Sequence, residues 1–359
     1  MMEPRPQPER PFFLSPRNSA RATRLATFVD SMLALRRLTP RQVDEFLASY
    51  VIYNLDWRDE KQMIETLGPD YQKKVAECVI AYYSVLNHLC ALISVEKMYI
   101  PPQMRRGASI TDNQILYEES IVRDLGVRSG DRVLDLGCGR GRVAAHIAEF
   151  SGARVTGTNI DTTQLALARA FNRQQGLNNE FLQSDFNDLP LPFSDETFDA
   201  FYEIQVLSLC PDLTKLFKEV FRVLKPGARL SLLEWVSLPD YDPDNAEHAA
   251  LMRKVKPLIG AVGTPTPKVL EDALQAAGFR VERSDNPSID GLQAVLIDNA
   301  QIYFRGVRVL MDALVAVRAL PGHVRTLFDR LMQDGWTFGE MDQRRLVTTT
   351  YRLIAQKPR

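Results

Sequence analysis

Two periodicities divide the chain. From about Thr23 to Leu125 apolar positions recur at helical spacing: Val43, Phe46, Leu47, Tyr50 and Val51 fall on one stripe, and Tyr71, Val75, Cys78, Val79, Tyr82 and Tyr83 form a second that runs toward Leu89. The stretch from Ile100 to Gly107, with its Pro-Pro pair and Arg-Arg-Gly, interrupts this pattern before Glu118 to Leu125 resumes it. From Arg132 short β-rich runs appear instead, at 132–136, 153–159, 180–185, 198–204 and 228–236, each followed by a helical stretch. Strands that alternate with helices predict βαβ units and a parallel sheet covered on both faces. Runs at 278–285 and 346–357 read as two closing strands. Between them, Ile289 to Arg345 is too long for a loop and carries Tyr303, Val307, Leu310, Met311 and Leu314 at helical spacing, which predicts a helical insertion over one edge of the sheet.

Composition narrows the class. The chain has 359 residues, 45% hydrophobic and 25% charged, and 44 Lys+Arg against 45 Asp+Glu leave a formal charge of -1. Such balance gives no basic surface for nucleic acid, so no nucleic-acid partner is expected. No apolar run approaches the roughly 20 residues that cross a bilayer, so no integral membrane segment is expected. The 4 cysteines (Cys78, Cys90, Cys138 and Cys210) are too few for a disulfide scaffold, which points to a reducing, cytoplasmic compartment. His88, Cys90 and Cys78 fit no usual zinc spacing, and no metal is expected. The first 25 residues alternate Pro and Arg and read as a flexible arm.

The chemistry concentrates in Val133-Leu134-Asp135-Leu136-Gly137-Cys138-Gly139-Arg140-Gly141, where a strand feeds a glycine-spaced turn that opens a helix near Arg142. Backbone N–H groups approach a ligand closely in such a turn. The acid ahead of the first glycine suits a cationic sulfonium and an amino-acid tail better than a pyrophosphate. At the end of the second strand, Asn159 and Asp161 on either side of Ile160 place polar groups where a ribose would lie; for Asp161, a helix cap and a ligand contact are equally open. At the end of the third, Asp185 and Phe186 suit an exocyclic amine and a planar base. Together they predict an adenosine-containing ligand at the carboxyl ends of successive strands.

The run Asp135-x-Gly137-x-Gly139-x-Gly141, with Ser184-Asp185-Phe186, Pro192-Phe193-x-Asp195-x-x-Phe198-Asp199 and Val223-Leu224-Lys225-Pro226-Gly227, resembles the class I S-adenosylmethionine-dependent methyltransferases. Leu55-Asp56-Trp57, Tyr82-Tyr83-Ser84-Val85, Leu233-Glu234-Trp235-Val236, Asp240-Tyr241-Asp242 with Glu247-His248, and Thr266-Pro267 ahead of Ala277-Gly278-Phe279 resemble the sterol C-methyltransferases in particular. The resemblance implies a Rossmann-like α/β sheet, mostly parallel with the last strand antiparallel. It implies S-adenosyl-L-methionine as cofactor, held by Asp135, Gly137, Cys138, Gly139, Asn159, Ile160, Asp185 and Phe186. It also implies a lipophilic small-molecule substrate, most simply a terpenoid or sterol-like compound of secondary metabolism methylated at carbon.

Two departures bear on the reaction. The family's aromatic block after the Tyr-Tyr element is replaced by Leu89 to Tyr99, which keeps one aromatic residue, and its acid and histidine at the end of the fourth strand are Gln205 and Leu209 here. Glutamine accepts no proton as a carboxylate does, so Gln205 and the nearby Glu203 are the candidate catalytic positions. Glu203 either takes over the acid's role or binds the methionine end of the cofactor, and Tyr202 is expected to face away into the core. Three reactions stay open: C-methylation, methylation of a more nucleophilic acceptor, and a cofactor-binding relative that catalyses cyclisation or only binds. Tyr82, Tyr99, Trp235, Tyr241 and Tyr303 are expected to wall the substrate pocket. The expected organisation is an arm (1–25), a helical extension (26–126), the cofactor-binding core (127–285), a helical insertion acting as a substrate lid (286–345) and a final strand (346–359). Arg305 and Arg308 beside the Tyr303–Leu314 stripe leave peripheral membrane association open, and the apolar helix faces leave a homodimer open.

Overall fold

A computed structural model describes residues 28–92 and 95–359. The Pro/Arg arm and Ile93 and Ser94 of the Leu89–Tyr99 segment lie outside the described residues, and so does the side chain of Tyr303.

The N-terminal part is helical. Helix α1 covers 28–36, and α2 (Pro40–Ser49), α3 (Glu60–Leu67), α4 (Tyr71–Leu92) and α5 (Ile110–Leu125) follow. Their starts are chemically specified. Thr39 and Gln42 cap α2 reciprocally with Pro40 in its first turn, and Ser109 and Asp112 do the same for α5, whose end Gly126 closes in the left-handed conformation. Phe46, Tyr50, Tyr53 and Tyr82 interlock, Phe46 stacking on Tyr82 at 5.6 Å with Tyr53 edge-on at 5.3 Å.

The sheet follows as β1 (Arg132–Leu136), α6 (Arg142–Ser151), β2 (Arg154–Asn159), α7 (Thr162–Gln174), β3 (Glu180–Gln183), β4 (Phe198–Ile204), α8 (Leu213–Val223) and β5 (Leu224–Ser237). Then come α9 (Ala246–Ile259), α10 (Pro267–Ala276), β6 (Arg280–Asp285), α11 (Ala294–Ala316), α12 (Gly322–Met332), α13 (Trp336–Gln343) and β7 (Val347–Gln356). The seven strands run β3-β2-β1-β4-β5-β7-β6, with β7 antiparallel to both its neighbours and the remaining pairs parallel. This is the mostly parallel sheet with an antiparallel last strand that the family resemblance implies. Its two faces carry separate cores. Phe201, Phe217, Val220 and Leu230 pack on one side, and Val133, Ile147, Leu165 and Tyr202 on the other.

Part of the insertion packs on the sheet, Ile297 of α11 and Phe338 and Met341 of α13 lying against Trp235 of β5 and Val347 of β7. Val307 and Met311 of α11 and Val324, Leu327 and Phe328 of α12 join Phe46, Val75, Val79 and Tyr82 in one core, so the second half of the chain completes the N-terminal helical layer. The predicted stripe splits accordingly: Val307 and Met311 are buried, whereas Leu310 is 47% exposed.

Candidate active site

The carboxyl ends of β1, β2, β3 and β4 open into one cleft, and all eight residues expected to hold the cofactor line it: Asp135, Gly137, Cys138, Gly139, Asn159, Ile160, Asp185 and Phe186. The glycines are required here. Gly137 sits at φ 75°, and a Cβ on it would lie 2.3 Å from Val206, while one on Gly141 would meet Phe181 and Ala168 within 3.0 Å. Cys138 donates its amide to Thr158 O at 2.9 Å, and burial raises its thiol well above the usual range, so it packs the loop as a neutral group.

Asp135 is 3% exposed, and burial pushes its carboxyl up to about 7, partly countered by the hydroxyl that Tyr202 donates at 2.7 Å. Asp185 is also raised by burial while its Oδ1 accepts the Asn187 amide at 2.9 Å. Asp161 caps α7: one oxygen accepts from Thr163 and Gln164. Its Oδ2 and the Gln164 Oε1 are buried acceptors without a partner, and both residues line the cleft. The cap and the ligand-facing position therefore coexist on one carboxylate.

A strap from Val95 to Ile100 closes over this end. Arg140, nine-tenths buried, donates to Val95 O at 2.6 Å and Glu96 O at 3.1 Å. Glu118, fully buried on α5, receives Tyr99 Oη at 2.7 Å and lies 2.6 Å from His146 Nδ1, and Lys97 pairs with it as well. The other wall is apolar: Val75, Val79 and Tyr83 from α4, Met98 from the strap, and Val206 and Leu209 after β4.

The candidate catalytic pair is not brought together, and the face assignment on β4 is corrected. Tyr202 and Ile204 line the cleft, whereas Glu203 is 1% exposed on the opposite side of the sheet. There it shares a hydrogen bond with Glu234, and the two carboxyls accept the amides of Leu233, Val206 and Trp235. Burial and mutual repulsion raise Glu203 well above the carboxylate range, so the pair retains a proton. Gln205 reaches the cleft because strand alternation ends at Ile204 and Gln205 adopts φ 57°, which turns its side chain off the β4 register. Its amide is fully engaged: Nε2 donates to Ile100 O at 3.0 Å and Thr349 O at 2.6 Å, and Oε1 accepts the Ile100 amide at 3.4 Å.

Of the residues expected at the substrate wall, Tyr99 lines the cleft. Tyr82 is locked in the aromatic core and its neighbour Tyr83 takes the cleft position, because one residue is about a 100° turn of helix. Trp235 is buried against Phe338 and donates to Thr264. Tyr241 stacks on His248 and faces a second cavity, with Asp56, Arg58, Thr266 and Tyr351. Tyr303 falls on α11, and among the described residues nothing from α11 to α13 lines the cleft. Sequence reasoning placed Tyr202 in the core and gave no cleft role to Tyr83, which sits in the Tyr82–Val85 run, to Arg140 in the glycine loop, or to Gln164, which has no motif of its own.

Strand order, glycine loop and acids at the ends of β1 and β3 define a class I methyltransferase domain, and residues 134–232 match the methyltransferase domain family. The chain carries this domain and over it resembles the sterol C-methyltransferases. It is 34% identical over 222 residues to methyltransferase phqN of Penicillium fellutanum, covering 62% of this chain and 64% of that one. To the cycloartenol-C-24-methyltransferase of Arabidopsis thaliana it is 37% identical over 185 residues, 50% of this chain and 53% of the relative. The chain thus matches about half to two thirds of these relatives' lengths. Among solved structures, the [4+2]-cyclase SpnF superposes with a TM-score of 0.62 at 20% identity, over 79% of this chain and 97% of that one, a likeness of fold.

Proposed function

We propose that this protein is an S-adenosylmethionine-dependent methyltransferase acting on a lipophilic small molecule, by C-methylation of a terpenoid or sterol-like acceptor. One observation carries this reading: a single cleft joins a polar end, with all eight expected cofactor residues, to an apolar end walled by Val75, Val79, Tyr83, Met98, Val206 and Leu209. The polar end fits the cofactor. Unpartnered Asp161 Oδ2 and Gln164 Oε1 are acceptors for hydroxyl groups, and a Cβ on Gly139 would meet only the Gln164 Oε1, so the loop leaves backbone open to a close approach there. When bound, S-adenosylmethionine supplies an electrophilic methyl on a sulfonium. Asp135 orients and balances that cationic ligand, with Tyr202 fixing the carboxyl's rotation. The apolar wall excludes water and aligns the acceptor, which can account for much of the rate in a direct displacement.

A second reading, cyclisation without methyl transfer, is favoured by a specific absence of chemistry. The acid and histidine positions of the sterol enzymes are Gln205, whose amide is consumed by the backbone, and Leu209, while Glu203 is buried across the sheet. Calorimetry with S-adenosylmethionine tests what both readings share: Asp135→Ala should weaken binding about tenfold or more, given the charge it removes. Undiminished binding by the variant contradicts the cofactor assignment. Labelled cofactor with a panel of isoprenoid acceptors then separates them, since product formed without methyl consumption selects the cyclase.

A further inference from the structure

Helix α11 has two apolar faces, and the fold uses one. Val307 and Met311 point into the helical core with Leu314 and Val315 packed beside them. The opposite side presents Gly306, Val309, Leu310, Ala313, Ala316 and Val317 to solvent, at the i, i+3, i+4, i+7 spacing of a continuous stripe about three turns long. Val309 is 70% exposed, Leu310 47% and Val317 73%, in a chain whose other large apolar side chains are mostly enclosed. The last turn of α1 abuts its end, where Arg36 donates to Ala319 O, and α1 adds exposed Val29 (44%) and Leu33 (42%).

The charges around this patch are mainly basic. Arg305, Arg308 and Arg318 border the stripe, and Arg36 and Arg37 follow Leu33. Of the nearby acids, Asp312 is half-buried and pairs with Arg325 at 3.2 Å, Asp329 holds Arg308 at 3.1 Å, and Asp30 is exposed on α1. An apolar stripe rimmed by arginines matches a helix lying in the headgroup region of a bilayer. Among the described residues no helix is long and apolar enough to cross one. A second copy is the poorer occupant, because a two-fold contact through this patch sets a rim in which arginines outnumber acids against its own image.

We propose that the outer face of α11, with the exposed side of α1, docks on an anionic phospholipid surface. The proposal goes beyond the reaction: it needs neither methyl transfer nor a particular acceptor. It replaces the expected Tyr303–Leu314 face with the one a quarter to half a turn away. Docking there would set the bilayer against the helical layer whose inner side, α4, walls the cleft.

Flotation of the full chain with vesicles tests it. Wild type should co-float with phosphatidylcholine vesicles holding about one third phosphatidylserine, and bind pure phosphatidylcholine much more weakly. The pair Val309→Asp with Val317→Asp, and separately Arg305→Glu with Arg318→Glu, should each lower binding about tenfold or more, from lost apolar insertion and lost charge attraction respectively. Both pairs lie on the surface, and unchanged melting temperature and calorimetric affinity for S-adenosylmethionine would show that fold and cleft are intact. Absence of wild-type binding, equal binding to both vesicle types, or full binding by both variant pairs overturns the proposal. So does a lipid-independent dimer that both variant pairs dissociate.

Discussion

Asp135 shows what one buried carboxyl can do in an otherwise apolar loop. Burial sets its pKa near 7, so in the ligand-free protein it is half neutral at physiological pH, held by Tyr202. A cation in the cleft favours the carboxylate and therefore drives a proton off. The sign follows: cofactor affinity is weak below about 7, rises as pH passes through that value, and levels above it. For the empty protein the same shift acts on stability in the opposite sense. The folded pKa exceeds the 3.8 of an ordinary aspartate, so this residue's contribution is full below about 4 and is lost as pH rises through about 7. Calorimetry between about pH 6 and 8, in two buffers of different ionisation enthalpy, should show tightening with proton release; flat affinity without release would refute the assignment. Asp135 is legible in sequence because a motif surrounds it. Its partner Tyr202 is not, because period-2 alternation says that Tyr202 and Glu203 face opposite ways but not which side holds the cleft.

Between elements, Gln205 acts as a staple. Three backbone bonds join the end of β4, the strap at Ile100 and β7 at Thr349, with Gln205 itself in the left-handed region. Gln205→Glu restores the acid of the sterol enzymes in name only. It removes two donors and faces a carboxylate with two carbonyl oxygens, at about 1–3 kcal/mol or more for the stranded groups. Urea denaturation should show that loss at neutral pH, shrinking at acid pH where a protonated Glu can donate one bond again; a Glu variant as stable as wild type would remove the staple. The strands were easier to read than such links. β1 and β4 match the predicted runs in full, since buried parallel strands are short, apolar and bounded by turns. β5 begins at Leu224, four residues earlier than predicted, because Pro226 and Gly227 sit in an irregularity inside the strand rather than before it. Tyr82 and Tyr83 show the limit on helices: periodicity marks an apolar stripe, and only the fold says whether a neighbour packs against it or a cleft opens beside it.

At the scale of the whole molecule, the cleft depends on segments far apart in sequence. Its α4 wall packs on α2, and the core they share extends to α11 and α12, so residues after 294 support a surface formed before 92. The sequence shows two helical blocks flanking a cofactor domain but not that they form one layer, since an amphipathic helix does not name its partner. Phe328 on α12 is 2% exposed in this core and far from the polar end of the cleft. Phe328→Ala should cost about 3–5 kcal/mol for the cavity it leaves. If the helical layer is one cooperative unit, hydrogen exchange should quicken in α2 and α4 together with α12, while β1 and β4 stay protected and Asp135 still binds cofactor. Acceleration confined to α12 would show that the insertion is an independent appendage, and the apolar wall of the cleft would then have to be explained by the N-terminal helices alone.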